Sequence, residues 1–274
     1  MEVSQFTIEE HKIAIDGLNI HVARKIVSGR TTTPLLLFNG IGANIELLFS
    51  LIGALEGIEC ITFDMPGVGQ SDIPLFPMRF KRLAKLSTQI LDHFNYANVD
   101  ALGVSWGGAL AQEFAKRYSH RCRKLVLVAT SPGAIMVPGK PSVFMKLTNP
   151  KRYTDSAYLS NIAHHIYGGA LREKPEQIQE YAQQIKPPQS SRGYLWQLAA
   201  AAGWTSIHWL HKLAQPTMIL AGNDDPLVPF INAKIMHSRI PNSQLVEVDC
   251  GHLLLLTQQK TVVPLILNFL NSEI

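Results

Sequence analysis

The chain has 274 residues, of which 46% are hydrophobic and 17% are charged, and its formal net charge is +4 at pH 7. A chain of this length and composition can bury a large core and fits one α/β domain with an insertion. Its cations are scattered along the sequence, and a run such as residues 121–124 is too short for a nucleic-acid-binding face. We therefore interpret that run as solvated surface and expect no nucleic-acid partner.

The first predicted elements are antiparallel edge strands. Residues 6–10 and 12–15 alternate between apolar and polar side chains, residues 16–17 form a turn, and the pattern resumes over 19–23. Short apolar runs follow at residues 34–38 and 60–63, each with Gly or Pro after it. Such runs are typical of parallel strands that are buried on both faces.

Strands and helices alternate along the rest of the chain. The patterns predict a helix over about residues 79–94, strands over 99–102, 124–128, 216–220 and 244–248, and a closing helix over 262–269. This alternation favours an α/β fold with a mostly parallel, doubly wound sheet.

One long interruption breaks the strand pattern between about residues 131 and 209. We predict a mostly helical cap over residues 131–209, inserted over the C-terminal edge of the sheet, and a core domain of residues 1–130 and 210–274. Aromatic, histidine and glutamine side chains accumulate in the cap. Its aromatic and histidine residues include Tyr153, Tyr158, His164, His165, Tyr167, Tyr194, Trp196, Trp204 and Trp209.

Residues 103–107 read Gly-Val-Ser-Trp-Gly and lie between a predicted strand and a predicted helix over 108–115. A Gly-x-Ser-x-Gly turn in that context is typical of the nucleophile elbow of α/β-hydrolases. The turn is so tight that small residues are required on both sides of the serine, and Gly103 and Gly107 supply them. Taken alone, the motif is also compatible with a chance Gly/Ser-rich turn.

Two further residues complete a candidate triad with Ser105. A serine hydroxyl needs a base, and the base needs an orienting carboxylate. In this fold the order is serine, acid, histidine, which Asp225 and His252 match, each just after an apolar strand. We prefer Asp225 to its neighbour Asp224, because the Pro-Leu-Val-Pro sequence that follows should fix its side chain toward the histidine. Separately, an Asp-Pro turn and a buried histidine would explain the two positions equally well.

An acyl-transfer site also needs donors for the tetrahedral oxyanion. We predict the backbone N–H of Trp106 as one donor and that of Ile41 as the other, with Gly40 and Gly42 allowing close approach. The loop after the early strand often carries His-Gly in this fold, and here Asn39 replaces the histidine.

Other motifs favour structure over chemistry. Gly40-x-Gly42 lacks a third glycine, so we expect no dinucleotide cofactor. Residues 64–71 are interpreted as a structural turn, and His208 and His211, without a third ligand, as packing residues of the cap. We therefore expect neither a cofactor nor a metal.

The chain resembles intracellular poly(3-hydroxyalkanoate) depolymerases, α/β-hydrolases that degrade stored polyester. The resemblance covers nearly the whole chain and is carried by residues 38–44, 103–112, 136–141 and 203–212. It implies Ser105 as nucleophile, His252 as general base and then acid, and Asp225 as its orienting partner, with Asn39-Gly40 as the normal form of the loop. Related synthases use cysteine at the elbow, so the serine points to hydrolysis. An apolar surface for docking insoluble polymer is also implied, supplied by the cap's aromatic residues.

Two alternative functions remain open in the sequence. One is a general carboxylesterase or carbon–carbon hydrolase acting on small soluble substrates with the same triad. The other is a non-catalytic granule-binding protein. The partner is accordingly a polyester granule or a small ester. The length of the polymer side chain and the oligomeric state stay open.

The sequence also gives expectations about location. Cys60, Cys122 and Cys250 cannot all pair, and no C-x-x-C occurs, which favours a reduced compartment. Residues 1–5 lack the basic-then-apolar pattern of a signal peptide, and no apolar run is long enough to span a membrane. We expect a cytoplasmic protein that associates with storage granules.

Overall fold

A computed structural model of the protein describes residues 6–28, 32–149, 151, 155–172, 178 and 191–273. Its strands are β1 (Phe6–Ile15), β2 (Leu18–Val27), β3 (Leu35–Phe38), β4 (Cys60–Phe63), β5 (Val99–Val104), β6 (Cys122–Val128), β7 (Thr217–Gly222) and β8 (Ser243–Val248). Within the described residues these eight strands form one sheet in the order β1-β2-β4-β3-β5-β6-β7-β8. The pairings from β4 to β8 are parallel, which confirms the predicted mostly parallel sheet.

The sheet begins with the predicted antiparallel hairpin. Asp16 and Gly17 have φ values of 49° and 79°, and a two-residue turn with both φ angles positive matches the twist of the flanking strands. Two details differ from the prediction. Residues 6–15 form one continuous strand, and β2 pairs with β4 as well as β1, so β1 lies at an edge of the sheet and β2 does not.

The parallel strands are buried on both faces of the sheet. Along β3, Leu36 and Phe38 contribute to the core on one face, while Leu35 and Leu37 contribute to the core on the other. Successive side chains of a strand point to opposite faces, so a strand covered on both sides needs apolar residues at every position. This explains the uninterrupted apolar runs in the sequence.

Helices cover both faces. They are α1 (Phe49–Ala54), α2 (Phe80–His93), α3 (Trp106–Arg117), α4 (Pro141–Thr148), α5 (Ser156–Tyr167), α6 (Ser191–Ala201), α7 (Ile231–Arg239), α8 (Leu254–Thr257) and α9 (Gln259–Asn271). Buried side chains of α2 and α3 belong to one core, and those of α1 and α9 to the other. Short 3-10 helices occur at Ile45–Leu48, Ser119–Arg121, Gly169–Arg172 and Leu210–Lys212.

The segment between β6 and β7 contains α4, α5 and α6. Buried residues of α4 and α5, among them Val143, Leu159 and Ile166, form a small core of their own. Tyr153 and the rest of residues 150, 152–154, 173–177 and 179–190 lie outside the described residues. The described residues of this segment include three helices, and the cap with its boundaries at residues 131 and 209 stays a prediction.

Several aromatic side chains of this segment pack inside the protein. Tyr167 and Tyr194 are only 5% and 4% exposed, and Trp204 packs with its ring centroid 5.0 Å from that of Phe80 in the main core. These three residues therefore contribute little to an exposed apolar surface, whereas Phe144 of the same segment is 61% exposed. Other large apolar side chains are exposed instead: Leu75, Phe76, Ile135, Val137, Phe144, Met145 and Leu195.

Two expectations about the cations are also corrected. Within residues 121–124, Lys124 is buried, and its ammonium donates to the main-chain oxygen of Phe269 at 2.8 Å near the end of α9, so the run is not simply solvated surface. The cations are not all scattered either. Six of them line a groove of about 700 Å³ beside α2 and α3: Arg79, Lys81, Arg82, Lys85, Lys116 and Arg117.

Two further properties concern redox state and membranes. Cys60, Cys122 and Cys250 are buried and carry free thiols. Within the part of the chain that the structure describes, none of the helices combines the length and the apolarity needed to cross a bilayer.

Candidate active site

Ser105 occupies the tight turn between β5 and α3. Its φ and ψ of 53° and −116° put it in a conformation that non-glycine residues rarely adopt. The turn is held by a hydrogen bond from the Ser105 N–H to the Val128 carbonyl at 2.8 Å. A Cβ on Gly103 would lie 2.4 Å from the carbonyl oxygen of Gly107, and one on Gly107 would lie 2.2 Å from that of Phe38. A residue with a Cβ would therefore clash with the backbone at either glycine of the motif.

His252 lies beside the serine hydroxyl. Its Nε2 is 3.0 Å from Ser105 Oγ, and its side chain is almost completely buried. The loop after β8 is fixed by a hydrogen bond from the His252 N–H to the Tyr167 carbonyl at 2.7 Å, and the two rings are nearly parallel, 6.2 Å apart. Tyr167, the last residue of α5, thus supports the histidine. No sequence pattern indicates this role, because it arises only where α5 ends against the loop.

Asp225 completes the arrangement. Its Oδ2 is 2.6 Å from His252 Nδ1, and its Oδ1 accepts hydrogen bonds from the N–H groups of Leu227 and Val228 at 2.9 and 2.8 Å. Because a carboxylate only accepts, Nδ1 carries the proton and Nε2 faces the serine as an acceptor. Asp225 is fixed by the turn that follows it, as expected from the sequence.

The competing carboxylate, Asp224, points elsewhere. It is exposed, forms a bidentate ion pair with Arg172 at 2.9 Å, and accepts the Gly169 N–H at 2.7 Å. The geometry thus brings Ser105, His252 and Asp225 together and leaves Asp224 outside.

The two predicted oxyanion donors belong to segments that adjoin Ser105. The Trp106 N–H is the first of α3, and the first four N–H groups of a helix have no partner within the helix. A Cβ added to Gly40 would lie 4.0 Å from the Cβ of Ser105, so the loop carrying Ile41 packs directly against Ser105. Asn39 braces this loop, because its amide donates to the Asn44 carbonyl at 2.8 Å and accepts the Gly40 N–H at 2.8 Å.

Residues 64–71 form a structural turn that contacts a buried histidine, His21, for which the sequence shows no signal. Asp64 accepts hydrogen bonds from the N–H groups of Ile45 and Gln70, both at 2.9 Å, and its Oδ2 lies 2.8 Å from His21 Nδ1. Burial lowers the pKa of His21, but hydrogen bonds and charges from Asp64 and then Glu10 outweigh it, so the pKa is raised above 6.5. This network fixes Ile45, which follows the loop that carries the predicted donor Ile41.

The other histidines singled out in the sequence lie on the surface. His208 and His211 are exposed, so their predicted role in cap packing is wrong. Across the described ranges, no group of three or more His, Cys, Asp or Glu side chains is arranged to hold a metal ion.

The fold and the serine at the strand–helix turn define the class of this protein. A family model described as the alpha/beta hydrolase fold matches residues 33–259, and the chain belongs to this family. This match confirms the predicted fold class. The predicted class of enzyme, a carboxylic ester hydrolase, is confirmed by this match and by the following relative. The chain is 53% identical over 242 residues to the poly(3-hydroxyalkanoate) depolymerase of Ectopseudomonas oleovorans, covering 88% of this chain and 85% of that protein.

A second relative and a solved structure also match the chain. The chain is 30% identical to the 2-hydroxy-6-oxo-2,4-heptadienoate hydrolase of Pseudomonas putida over 67% of either chain. The crystal structure of the enol-lactonase from Burkholderia xenovorans superimposes with a TM-score of 0.82 at 16% identity, covering 96% of this chain and all of that one. At that identity the structural match supports the fold alone.

Proposed function

We propose that this protein hydrolyses ester bonds of poly(3-hydroxyalkanoate) through an acyl-enzyme on Ser105 and releases 3-hydroxy acids or their oligomers. The observation that carries the proposal is the chain of contacts from Asp225 through His252 to Ser105, in a chain 53% identical to a named depolymerase of this polyester. The proposed mechanism requires no group beyond the chain's own residues and water.

In the first half of the reaction Ser105 Oγ attacks the ester carbonyl while His252 Nε2 takes its proton. The negative charge that develops on the carbonyl oxygen is stabilised by the N–H groups of Trp106 and Ile41. Asp225 stabilises the imidazolium and keeps its ring oriented. The intermediate then collapses, the proton of His252 passes to the departing 3-oxygen of the remaining polymer, and the acyl group stays on the serine.

In the second half water replaces the polymer alcohol. His252 takes a proton from the water, whose oxygen attacks the acyl carbonyl, and the same two donors stabilise the second oxyanion. Collapse returns the proton to Ser105 and releases the 3-hydroxy acid. A serine is suited to this outcome, because its acyl ester is resolved by water and the chain is shortened.

The proposed polymer substrate is supported by apolar side chains exposed on two segments. Ile135, Phe144 and Leu195 are 54%, 61% and 53% exposed in or beside the helices between β6 and β7, and Leu75 and Phe76 are 81% and 76% exposed after β4. The indole N–H of Trp196, next to Leu195, donates to the Pro74 carbonyl at 2.9 Å, which brings these two segments together. Exposed apolar patches mark interaction surfaces, and an insoluble polyester is a partner of matching chemistry.

The proposal is tested with Ser105→Ala. We expect the release of 3-hydroxy acids from polymer granules to fall by roughly 10⁶-fold, because removing a serine nucleophile costs about that much in a comparable triad. Circular dichroism and the unfolding temperature should match those of the wild type, since alanine is compatible with the same packing. Full activity of the variant would contradict the assignment. Granules of short-chain and medium-chain polyester compared side by side would show which acyl length is preferred.

A second candidate is a hydrolase of small soluble substrates, including carbon–carbon bonds. The 30% identical heptadienoate hydrolase favours it. Turnover of soluble esters or diketones with no release of 3-hydroxy acids from granules would support this function over the first. A protein that binds granules without catalysis would leave Ser105 unreactive toward an organophosphonate.

A further inference from the structure

We propose that Gln197 of α6 is a positioning residue for the oxyanion donors. The packing of α6 against the site then determines the rate at which Ser105 is acylated. The inference rests on the proposed function, which assigns the donors. It concerns a residue in the segment between β6 and β7, far from the triad in sequence.

Gln197 contacts both halves of the oxyanion site. Its side-chain Oε1 accepts the N–H of Gly42 at 2.7 Å, and its main-chain oxygen accepts the indole N–H of Trp106 at 2.9 Å. Gly42 follows Ile41, the donor on the loop, and Trp106 is the donor at the elbow. One residue therefore ties together the two segments whose N–H groups must converge on a single oxygen atom.

The hydrogen bond to Gly42 fixes the loop where it is most able to move. Gly42 has a φ of +70°, a conformation that its lack of a Cβ makes accessible. Its N–H belongs to the same peptide plane as the Ile41 carbonyl, so an acceptor on that N–H restricts rotation next to the Ile41 donor. Asn39 braces the loop from within, and Gln197 is its support from α6.

The support itself is rigid. Trp196, next to Gln197, is bonded to the Pro74 carbonyl at 2.9 Å, and the hydroxyl of Tyr194 donates to the Leu147 carbonyl at 2.8 Å. A Cβ added to Gly193 would lie 1.7 Å from the carbonyl oxygen of Gly67, so the start of α6 lies directly on the loop after β4. Helix α6 thus holds Gln197 against the oxyanion loop.

Burial of the amide argues against a role in stability alone. Gln197 is 3% exposed, and its Nε2 is buried without a hydrogen-bond partner among the residues that the structure describes. A buried donor that makes no hydrogen bond destabilises the folded protein. An apolar side chain of similar length would fill the same space without that cost, but it would leave Gly42 without its acceptor.

The test uses Gln197→Met and a soluble ester, p-nitrophenyl butyrate. We expect kcat to fall by roughly 10- to 100-fold, less than the 10²- to 10³-fold that follows when an oxyanion donor is removed outright, with KM within about twofold of the wild type. The rate at which an organophosphonate labels Ser105 should fall by the same factor, because its phosphoryl oxygen occupies the oxyanion site. A residue that only supports the fold would not change labelling and kcat in parallel while leaving KM unchanged.

Gln215→Met is the matched control. Gln215 is 6% exposed, its Nε2 donates to the Ala115 carbonyl at 2.9 Å, and its Oε1 likewise has no partner within the described residues. It lies just before β7, away from Ser105 in the sheet order, so its loss should lower the unfolding temperature and leave kcat unchanged.

Trp106→Phe provides a second variant if Gln197→Met does not fold. It removes the indole donor to Gln197 and keeps the main-chain N–H, so kcat should fall here too. Because both exchanges release the same helix, the double variant should lose less than the product of the two single effects. Strictly multiplicative losses, or a Gln197→Met enzyme whose kcat and labelling rate are within twofold of the wild type, would overturn the inference.

The inference and the proposed function can fail separately. Wild-type protein that hydrolyses p-nitrophenyl butyrate but releases no 3-hydroxy acid from granules contradicts the proposed substrate, and the comparison of Gln197 variants stands. Equal labelling of wild type and Gln197→Met contradicts the inference while the proposed hydrolysis stands.

Discussion

Asp225→Asn perturbs the candidate triad with the least change in shape. In the native site Oδ1 accepts the N–H groups of Leu227 and Val228, and Oδ2 faces His252 Nδ1 at 2.6 Å. An asparagine keeps the first two hydrogen bonds only if its carbonyl oxygen takes the place of Oδ1. Its NH₂ group is then forced toward His252, and the side chain cannot turn over without setting that group against two N–H donors.

The consequence is the wrong tautomer of the histidine. With a donor facing it, Nδ1 becomes the acceptor and the ring proton moves to Nε2, 3.0 Å from Ser105 Oγ. A protonated Nε2 cannot take the serine proton. The loss of kcat expected for this exchange is about 10⁴-fold, and about 5 kcal/mol of activation free energy corresponds to it. The unfolding temperature should change little, since the buried contacts of Oδ1 are retained.

The assay is the steady-state kcat on p-nitrophenyl butyrate with Asp224→Asn as the control. Asp224 is next in sequence but 48% exposed and paired with Arg172, and an exposed pair contributes only about 0–1 kcal/mol to stability. The control should therefore keep kcat within twofold of the wild type. An Asp225→Asn enzyme that keeps more than a tenth of the wild-type kcat would refute the reasoning about the tautomer. A larger loss in Asp224→Asn than in Asp225→Asn would show that Asp224 is the orienting carboxylate.

Three further predictions concern the scaffold. Gly103→Ala should lower the free energy of unfolding in urea by about 1–3 kcal/mol, because its Cβ would lie 2.4 Å from the Gly107 carbonyl, whereas Gly40→Ala, with its nearest contact at 3.9 Å, should change it little. Because the pKa of His21 is raised in the folded protein, its protonation stabilises the fold fully below pH 6.5, and this contribution is lost as the pH rises through the folded-state pKa. The difference in unfolding temperature between wild type and His21→Gln should therefore be larger at pH 6 than at pH 9. An equal difference at both pH values would contradict this prediction. Lys124→Met should cost about 1–3 kcal/mol of unfolding free energy by leaving main-chain oxygens at the end of α9 without a donor, and no loss would show that water replaces the ammonium.

The sheet could be predicted because its signals are local. An apolar run followed by Gly or Pro is typical of a buried strand. This pattern predicts the bounds of β3 and β4 to within one residue. The elbow was equally accessible, since the spacing of Gly103, Ser105 and Gly107 follows from a turn that admits no side chain on either glycine. The order of serine, acid and histidine then indicated the two partners that the structure brings together.

The features that the sequence does not predict depend mostly on contacts between distant segments. The charge of Lys124 predicts a surface position, yet three carbonyls near the end of α9 accept hydrogen bonds from its ammonium inside the protein. Helix α7 was not predicted, because its apolar residues do not gather on one face. Tyr167 and Gln197 gave no signal, since each acts through the place where its helix meets the site.

The central claim is that Ser105 carries the acyl group during cleavage of the polyester. Titration with an organophosphonate tests it most directly, with the adduct located by mass spectrometry and the release of 3-hydroxy acids from granules measured on the same samples. We predict one adduct per chain, on the peptide containing Ser105, and a loss of release in proportion to labelling. Full labelling of Ser105 with release undiminished, or loss of release with the adduct on another residue, would contradict the account.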